Sequence, residues 1–216
     1  MTEDGGRTTE DEGRRNALRE FFEALALEWD AQQAPERAAR LHALLAPFDA
    51  FLRDARAILE VGTGTGALVP LVRERAPSAR LVALDLAYAM LQRAQTRAPF
   101  ASFVQADAHA LPFGAACFDV VVCHASFPHF GDKRAALAEM RRALTCGGYL
   151  LILHDVGRAQ VNAIHQNARA SVIHQDLLPD GAEMRALLNA TGWDALDIED
   201  TTERYVVCAR VAASVR

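Results

Sequence analysis

The sequence predicts an α/β fold in which a mostly parallel, seven-stranded sheet is covered by helices on both faces. From Ala57 onward, short apolar runs alternate with amphipathic segments that have helical spacing. The runs are almost continuously apolar, as expected of strands buried on both faces of a parallel sheet. Only three residues separate the last two runs, so these must form a hairpin that places an antiparallel strand in the sheet.

The strand-like runs end in polar residues. The first five are AILEV, RLVALD, ASFVQAD, CFDVVVCH and GYLLILHD, and the two hairpin runs are WDALDIED and RYVVCARVA. Helices are predicted between them, at 66–75, 87–97, 132–144 and 180–190. Ligands of such sheets bind at the carboxyl ends of the parallel strands. The polar residues that close the strands are therefore the first candidates for a site.

A helical addition precedes the first strand. Residues 1–13 hold five acids and one arginine and are expected to form a disordered acidic tail. Between Arg14 and Asp30 apolar residues recur at helical spacing, and a second helix is predicted after Pro35. The apolar face of the first helix must be buried against another part of the protein. We expect residues 14–50 to form N-terminal helices that cover the active site.

The composition predicts a globular cytoplasmic protein. Of the 216 residues 51% are apolar, yet no run approaches the ~20 residues of a membrane span. The polar N-terminus lacks the apolar stretch of a signal peptide, and the four cysteines lack C-x-x-C spacing, as expected of reduced thiols. Outside the acidic tail the net charge is near −1, which gives no electrostatic footprint for nucleic acid. We expect a monomer or a homodimer.

The first apolar run breaks into GTGTG at positions 62–66 before a helix begins. Glycines between a strand and a helix allow a sharp turn and a close approach of the backbone to a ligand. The string fits the dinucleotide fingerprint G-x-G-x-x-(G/A) through Gly62, Gly64 and Ala67, with Asp85 about 20 residues further on. Taken alone, the loop does not distinguish a nicotinamide cofactor from S-adenosylmethionine, since both place an adenosine ribose against an acid after the second strand.

Five landmarks in order resemble the class I S-adenosylmethionine-dependent methyltransferases. LEVGTGTG resembles their first motif, VALDLAYAMLQRA the second and VQADAHALPFGAACFDVVVCH the third. ALAEMRRALTCGGYLLI resembles the helix and turn before their fifth strand, and the closing hairpin also matches. The likeness is greatest to the small-molecule group that includes quinone-biosynthesis methyltransferases. It implies a Rossmann-like methyltransferase domain over residues 51–216, S-adenosylmethionine as cofactor, and methyl transfer to a small-molecule acceptor.

The resemblance also implies roles for individual residues. The cofactor-binding residues that it implies are Glu60, Gly62, Thr63, Gly64, Gly66, Asp85, Leu86, Asp107, Ala108 and His124. Among them, Asp85 would accept hydrogen bonds from both ribose hydroxyls, and Asp107 would accept one from the adenine amino group. Glu60 would help to hold the ammonium group of the cofactor, and His124 would face the methyl-donor side.

Histidines supply the candidate catalytic groups. His42 and His109 look incidental, whereas the other five lie on or after the fourth and fifth strands. The four expected to converge above the transferred methyl group are His124, His129, His154 and His165. One of them could act as a general base, because the ordinary pKa of histidine is near neutral. A divalent metal held by two or three of them, with Asp155 or Asp176, is the less favoured alternative, since the spacing lacks a compact ligand signature.

Residues 156–179 form a long connection after the fifth strand, and its first half is predicted to be helical. A polar stripe along it comprises Arg158, Asn162, His165 and Arg169. The segment is either a surface helix or a lid-like insertion that closes over the substrate. As a lid, it would contribute Arg158, Asn162 and Arg169 as substrate-binding residues, with the arginines paired to a carboxylate or phosphate.

Two other functions stay open at this point. The first is methylation of RNA or protein, against which the near-neutral charge and the lack of an appended binding domain argue. The second is a cofactor-binding module without catalysis, against which the intact glycine loop and the histidines argue.

Overall fold

A computed structural model describes residues 9–32, 35–168 and 171–212. Its strands are β1 (Ala57–Val61), β2 (Arg80–Asp85), β3 (Ser102–Gln105), β4 (Phe118–His124), β5 (Leu144–His154), β6 (Trp193–Asp200) and β7 (Tyr205–Val211). The α-helices of the described residues are α1 (Thr9–Leu25), α2 (Arg37–Leu45), α3 (Asp49–Asp54), α4 (Val69–Arg75), α5 (Tyr88–Arg97), α6 (Lys133–Ala143), α7 (Arg158–Asn167) and α8 (Gly181–Ala190).

All seven strands belong to one sheet, in the order β3-β2-β1-β4-β5-β7-β6. The pairs from β3 to β5 are parallel, whereas β7 is antiparallel to both β5 and β6. The predicted fold class, including the antiparallel C-terminal hairpin, is confirmed. Strand order reverses between β1 and β4, so the crevice at the carboxyl ends of these two strands is where a sheet of this kind binds ligands.

Apolar side chains fill the space on both faces of the sheet. Leu137 of α6 and Leu188 of α8 belong to the core on one face, and Leu45 of α2 and Leu52 of α3 belong to the core on the other. Each is fully buried, and burying a leucine stabilises a fold by about 1.5–3 kcal/mol. The helices therefore hold the central strands from both sides, whereas the edge strands β3 and β6 are partly exposed.

Helix α1 begins at Thr9, earlier than the predicted start at Arg14, so residues 9–13 are helical rather than part of a disordered tail. Residues 1–8 of the predicted tail lie outside the described residues. Acidic side chains fill the first turn of the helix, where they interact favourably with its dipole: Glu10, Asp11 and Glu12. The local charge pattern that suggested disorder thus also fits a helix N-terminus.

A second difference concerns the connection to the first strand. Helix α2 ends at Leu45, and a 3-10 turn containing Pro47 follows it. The further short helix α3 was not predicted from the sequence. Over the described ranges, no helix is both long and apolar enough to cross a membrane, and all four cysteines are free thiols.

Candidate active site

A cavity of about 490 Å³ lies at the carboxyl ends of β1, β2 and β4. Its walls come from the loop after β1, the end of β2, the segments after β3 and β4, and helix α1. The predicted site residues that line it are Gly62, Thr63, Gly64, Asp85, Leu86, Asp107, Ala108, His124 and His129. Sites for small molecules typically measure about 300–1,000 Å³, so the cavity is large enough for one.

The glycine loop is bent back onto β2. The backbone N–H groups of Gly62 and Thr63 both donate to the carbonyl oxygen of Leu84, at 2.9 Å each. Gly62, Gly64 and Gly66 all have positive φ, a conformation that glycine adopts without a steric penalty. A Cβ added to Gly62 would lie 2.4 Å from the Ser126 side chain, whereas one added to Gly64 would have nothing within 4 Å. The loop therefore packs tightly on one side and leaves open space at Gly64.

Asp85, the last residue of β2, lies at the bottom of the cavity beneath this loop. One carboxylate oxygen accepts from the backbone N–H of Gly64 at 2.8 Å, and the other accepts from that of Ala87 at 2.9 Å. Burial raises the pKa of Asp85 to about 6, against the opposing effect of these hydrogen bonds. These two hydrogen bonds use one position on each oxygen, whereas a carboxylate offers about four lone-pair positions in all. Asp85 can therefore still accept hydroxyl groups from a ligand.

Asp107 follows β3 and is bound to two other residues of the cavity wall. Its carboxylate accepts from the Arg15 guanidinium at 3.0 Å, and His109 approaches it through both its backbone N–H at 3.0 Å and its ring Nδ1 at 2.5 Å. Although burial disfavours the charged form, these hydrogen bonds hold the pKa of Asp107 well below its usual range. The acid expected to bind adenine is thus ionised, and it also binds helix α1.

His124, the last residue of β4, borders the cavity beside Asp155. The distance from its Nε2 to the nearer Asp155 oxygen is 3.4 Å, and burial lowers the pKa of His124. Arg40 donates to the other Asp155 oxygen from Nε at 3.2 Å and from Nη2 at 3.0 Å. Burial disfavours the charged carboxylate, yet His124 and the arginines hold the pKa of Asp155 well below its usual range. This aspartate is therefore ionised and already neutralised by Arg40.

His129, in the 3-10 turn after β4, forms the second histidine–aspartate pair. Its Nδ1 donates to a carboxylate oxygen of Asp176 at 2.8 Å, and only 2% of the Asp176 side chain is exposed. Arg14 of α1 donates to the other oxygen, and Nδ1 of His165 donates to the Asp176 carbonyl. Burial lowers the pKa of His129 despite the neighbouring carboxylate, so its ring is neutral at pH 7. Because Nδ1 carries the proton, the lone pair lies on Nε2.

Helix α1 is attached over the cavity both by polar contacts and by apolar packing against α5. The Glu23 carboxylate accepts from the backbone N–H groups at the start of α5, at 2.6 and 2.7 Å. Beyond the helix, Asp30 accepts from the Thr65 hydroxyl at 2.6 Å and from the Arg97 guanidinium at 2.7 Å. The apolar side chains that face the cavity from this region are Leu18, Phe22 and Trp29. The N-terminal region thus forms one wall of the cavity.

Several predicted site residues do not line the cavity. Arg158 pairs with Asp200 at 2.6 Å, and Asn162 bonds both backbone groups of Leu178, so neither is placed to bind a substrate there. Both are corrections to the substrate-binding set, and Arg169 lies outside the described residues. Arg158 thus ties α7 to β6, and Asn162 ties it to the backbone at Leu178. These contacts account for the polar stripe of α7.

Two of the four predicted catalytic histidines are also displaced from the cavity wall. His154 is buried with its ring edge-on to Tyr205, 6.1 Å between centroids, and burial lowers its pKa to about 3. His165 packs behind His129, with ring centroids 4.9 Å apart. The four histidines thus lie close enough to interact electrostatically, but only His124 and His129 line the cavity, and the catalytic role expected of the four stays a prediction. Within the described residues, no group of three or more His, Cys, Asp or Glu side chains is arranged to hold a metal ion.

Glu60 and Gly66 are the two predicted cofactor-binding residues that lie away from the cavity. Glu60 is buried inside β1, and burial raises its pKa to about 8. A Cβ on Gly66 would lie 2.9 Å from that of Ala94, so this glycine serves the packing of the loop on α5. Neither residue lines the cavity, so the cofactor contacts expected of them stay predictions.

Several polar residues of the cavity wall were not predicted from the sequence. Arg14, Arg15 and Arg37 line the cavity from the N-terminal helices, and His109, judged incidental, lines it from the segment after β3. A histidine two positions after Asp107 can reach back to that carboxylate, so this spacing could have revealed His109. Nothing local predicts the arginines, since their partners are distant in sequence.

Known proteins are similar to this chain in sequence and in fold. Residues 59–152 match a family model described as a methyltransferase domain. The malonyl-[acyl-carrier protein] O-methyltransferase of Geobacter sulfurreducens is 30% identical over 202 residues, covering 88% of this chain and 74% of that protein. This chain belongs to the class I S-adenosylmethionine-dependent methyltransferases.

Other relatives of this methyltransferase agree with that assignment. The demethylmenaquinone methyltransferase of Thermus thermophilus is 42% identical over 100 residues, which cover 44% of this chain and 46% of that protein. The chain thus spans less than half of the length of that relative. A SAM-dependent methyltransferase from Aquifex aeolicus has the same fold, with a TM-score of 0.69 at 15% identity over 87% of this chain and 98% of that one.

The cavity of the methyltransferase fits the cofactor for which its family is named. Gly64 leaves open space beside the loop backbone, which a Cβ would fill. Asp85 offers an acceptor for ribose hydroxyls, and Leu86 and Ala108 provide apolar surface nearby for a purine. The residues that would hold the cofactor are therefore present in one continuous wall.

Proposed function

We propose that this chain transfers the methyl group of S-adenosylmethionine to a small-molecule acceptor. One observation carries the proposal: a single cavity is lined by the glycine loop, Asp85 and His129, and the Nδ1–H of His129 is held by Asp176. The named activities of the two curated relatives support a catalytic role over a cofactor-binding module. From composition and charge we expect the protein to act in the cytoplasm, as a monomer or homodimer, without nucleic acid.

The cofactor supplies an activated methyl group on a sulfonium leaving group, so the chain mainly has to position the reactants and exclude water. Asp85 would orient the ribose, and the backbone at Gly62 and Gly64 would lie against the ribose and the methionine part. Phe22 and Trp29 of the N-terminal region form an apolar cover over this wall. Their side chains keep bulk water from the reacting atoms.

A base is required when the acceptor arrives protonated, and His129 is suited to that role. Its Nδ1–H is held by Asp176, so Nε2 is free to accept the acceptor proton. The positive charge that then forms on the ring lies beside the Asp176 carboxylate, which stabilises it. His124 is the second candidate, but its partner Asp155 is already neutralised by Arg40. We therefore assign the base to His129 and a positioning role to Asp176.

Calorimetric titration tests whether the cavity binds this cofactor. We expect S-adenosylhomocysteine to bind and NAD not to bind. Asp85→Asn should weaken S-adenosylhomocysteine binding by about 1.5–3 kcal/mol, the usual effect of losing a charged hydrogen-bond acceptor. The surface variant Asp194→Asn is the matched control, since this aspartate is exposed on β6. Binding of NAD without binding of S-adenosylhomocysteine would contradict the proposed function.

A further inference from the structure

Arg37, the first residue of α2, presents a cation to the cavity without a hydrogen-bond acceptor. Its side chain is only 12% exposed, and it is one of the residues that line the cavity. The nearest carboxylate oxygen belongs to Asp155 and lies 3.9 Å from Nε, beyond hydrogen-bond distance. Among the residues that the structure describes, none accepts a hydrogen bond from this guanidinium. Burial also lowers the pKa of Arg37, as expected of a cation that is poorly compensated.

The acids around Arg37 are already paired with other groups. Asp155 receives two hydrogen bonds from Arg40, and Asp30 receives one each from Arg97 and Thr65. Two arginines thus face the single Asp155 carboxylate, and one positive charge is left over at Arg37. A buried charge is costly unless it is paired. A ligand that carries one negative charge would therefore balance the charges in this part of the cavity.

The chemistry of the missing partner follows from this charge balance. One surplus charge matches a carboxylate, whereas a phosphate dianion would leave a second negative charge uncompensated beside Asp155. A planar guanidinium also matches the two oxygens of a carboxylate in a bidentate pair. We propose that Arg37 binds a carboxylate group within the cavity.

The carboxylate can come from two sources, and this inference rests on the proposed function. Arg37 lies between Asp30, which bonds Thr65 of the glycine loop, and Asp155, beside His124 at the end of β4. The methyl donor and the acceptor must meet in this part of the cavity. The carboxylate is therefore that of the methionine part of the cofactor or that of an anionic acceptor, and the two cases give different results with defined probes.

The first arm compares S-adenosylhomocysteine with 5′-methylthioadenosine, which lacks the amino-acid part. If Arg37 binds the cofactor, Arg37→Gln should weaken S-adenosylhomocysteine binding about 10- to 100-fold and leave 5′-methylthioadenosine binding within twofold. Arg37→Lys, which keeps the charge without the bidentate geometry, should fall between the wild type and Arg37→Gln. Arg53→Gln, an exposed arginine of α3, controls for the change in net charge.

The second arm uses a deproteinised bacterial metabolite extract split on an anion-exchange resin, with radiolabelled S-adenosylmethionine as donor. If Arg37 binds the acceptor, label should enter compounds of the retained fraction, and Arg37→Gln should reduce this at least tenfold without changing S-adenosylhomocysteine affinity. Converting the carboxylates of the extract to amides before the assay should remove the acceptor, whereas treating the extract with phosphatase should not.

Three outcomes would overturn the inference about Arg37. The first is Arg37→Gln with both affinity and label transfer within twofold of the wild type. The second is an equal loss of affinity for S-adenosylhomocysteine and 5′-methylthioadenosine, which indicates a structural role. The third is an effect of Arg37→Gln confined to an acceptor that phosphatase destroys. Failure of the wild type to bind S-adenosylhomocysteine would instead contradict the proposed function itself.

Discussion

His129→Ala should lower kcat by about 10²–10⁴-fold, the range for loss of a general base, while S-adenosylhomocysteine affinity changes little. His129 lines the cavity, and its Nδ1–H is held by a buried carboxylate. His42→Ala is the matched control, because this histidine is exposed on α2 and should be dispensable. The loss should be the same with and without EDTA. Full activity of His129→Ala would contradict the assignment, and a loss in the wild type that EDTA causes and one metal reverses would favour the metal alternative.

Asp176→Asn provides an independent test of the positioning role. The Asp176 carboxylate raises the pKa of the His129 ring. Burial has the larger effect, so the pKa of His129 lies below its ordinary value. Removing that negative charge should lower the pKa of His129 further. Since the neutral ring is the active form, the acidic limb of the kcat–pH profile should move to lower pH while the plateau falls. A plateau that falls with no movement of the limb would indicate a merely structural role for Asp176.

Deleting residues 1–32 should reduce turnover by about 10²-fold or more while the rest of the fold survives. Misplacement of reacting groups by about 1 Å can cost this much, and the deletion removes an entire wall of the cavity. Leu18 is the buried apolar residue of α1, whereas α2 contributes three leucines to the main core. The helix can therefore be lost without opening that core.

Two further variants separate closure of the site from general stability. Deleting residues 1–8 should leave turnover unchanged, because helix α1 begins at Thr9. Glu23→Gln should weaken the attachment of α1 to the start of α5 and reduce turnover by less than the deletion does. Thermal denaturation of each variant checks that the sheet is folded. Wild-type turnover after deletion of residues 1–32 would show that α1 plays no part in the site.

The succession of strands along the chain and the residues that close them could be predicted, because local apolar periodicity and the glycine turn mark them. Asp85, Asp107 and His124 reach the cavity for this reason. The orientation of neighbouring side chains could not be predicted in the same way. His154 and Asp155 are adjacent in sequence, yet Asp155 approaches His124 whereas His154 packs against Tyr205. Successive residues near the end of a strand point to opposite faces, and the sequence does not show which face borders the cavity.

The polar contacts of the N-terminal helices were also beyond sequence reasoning. Arg14 bonds Asp176, and Arg15 bonds Asp107, through contacts between residues 162 and 92 positions apart. Amphipathic spacing predicted that α1 must be buried against something, but such spacing carries no information about which distant acids its arginines meet. That Arg37 lacks a hydrogen-bond acceptor likewise depends on the partners of the surrounding acids, which the sequence does not show.

Transfer of label from S-adenosylmethionine with a radioactive methyl group tests the central claim most directly. The purified protein is incubated with a complete bacterial extract, which is then separated into small-molecule, RNA and protein fractions. We predict that label enters the small-molecule fraction and that His129→Ala abolishes most of this incorporation. Label confined to RNA or protein, or no transfer by a protein that binds S-adenosylhomocysteine, would contradict the account.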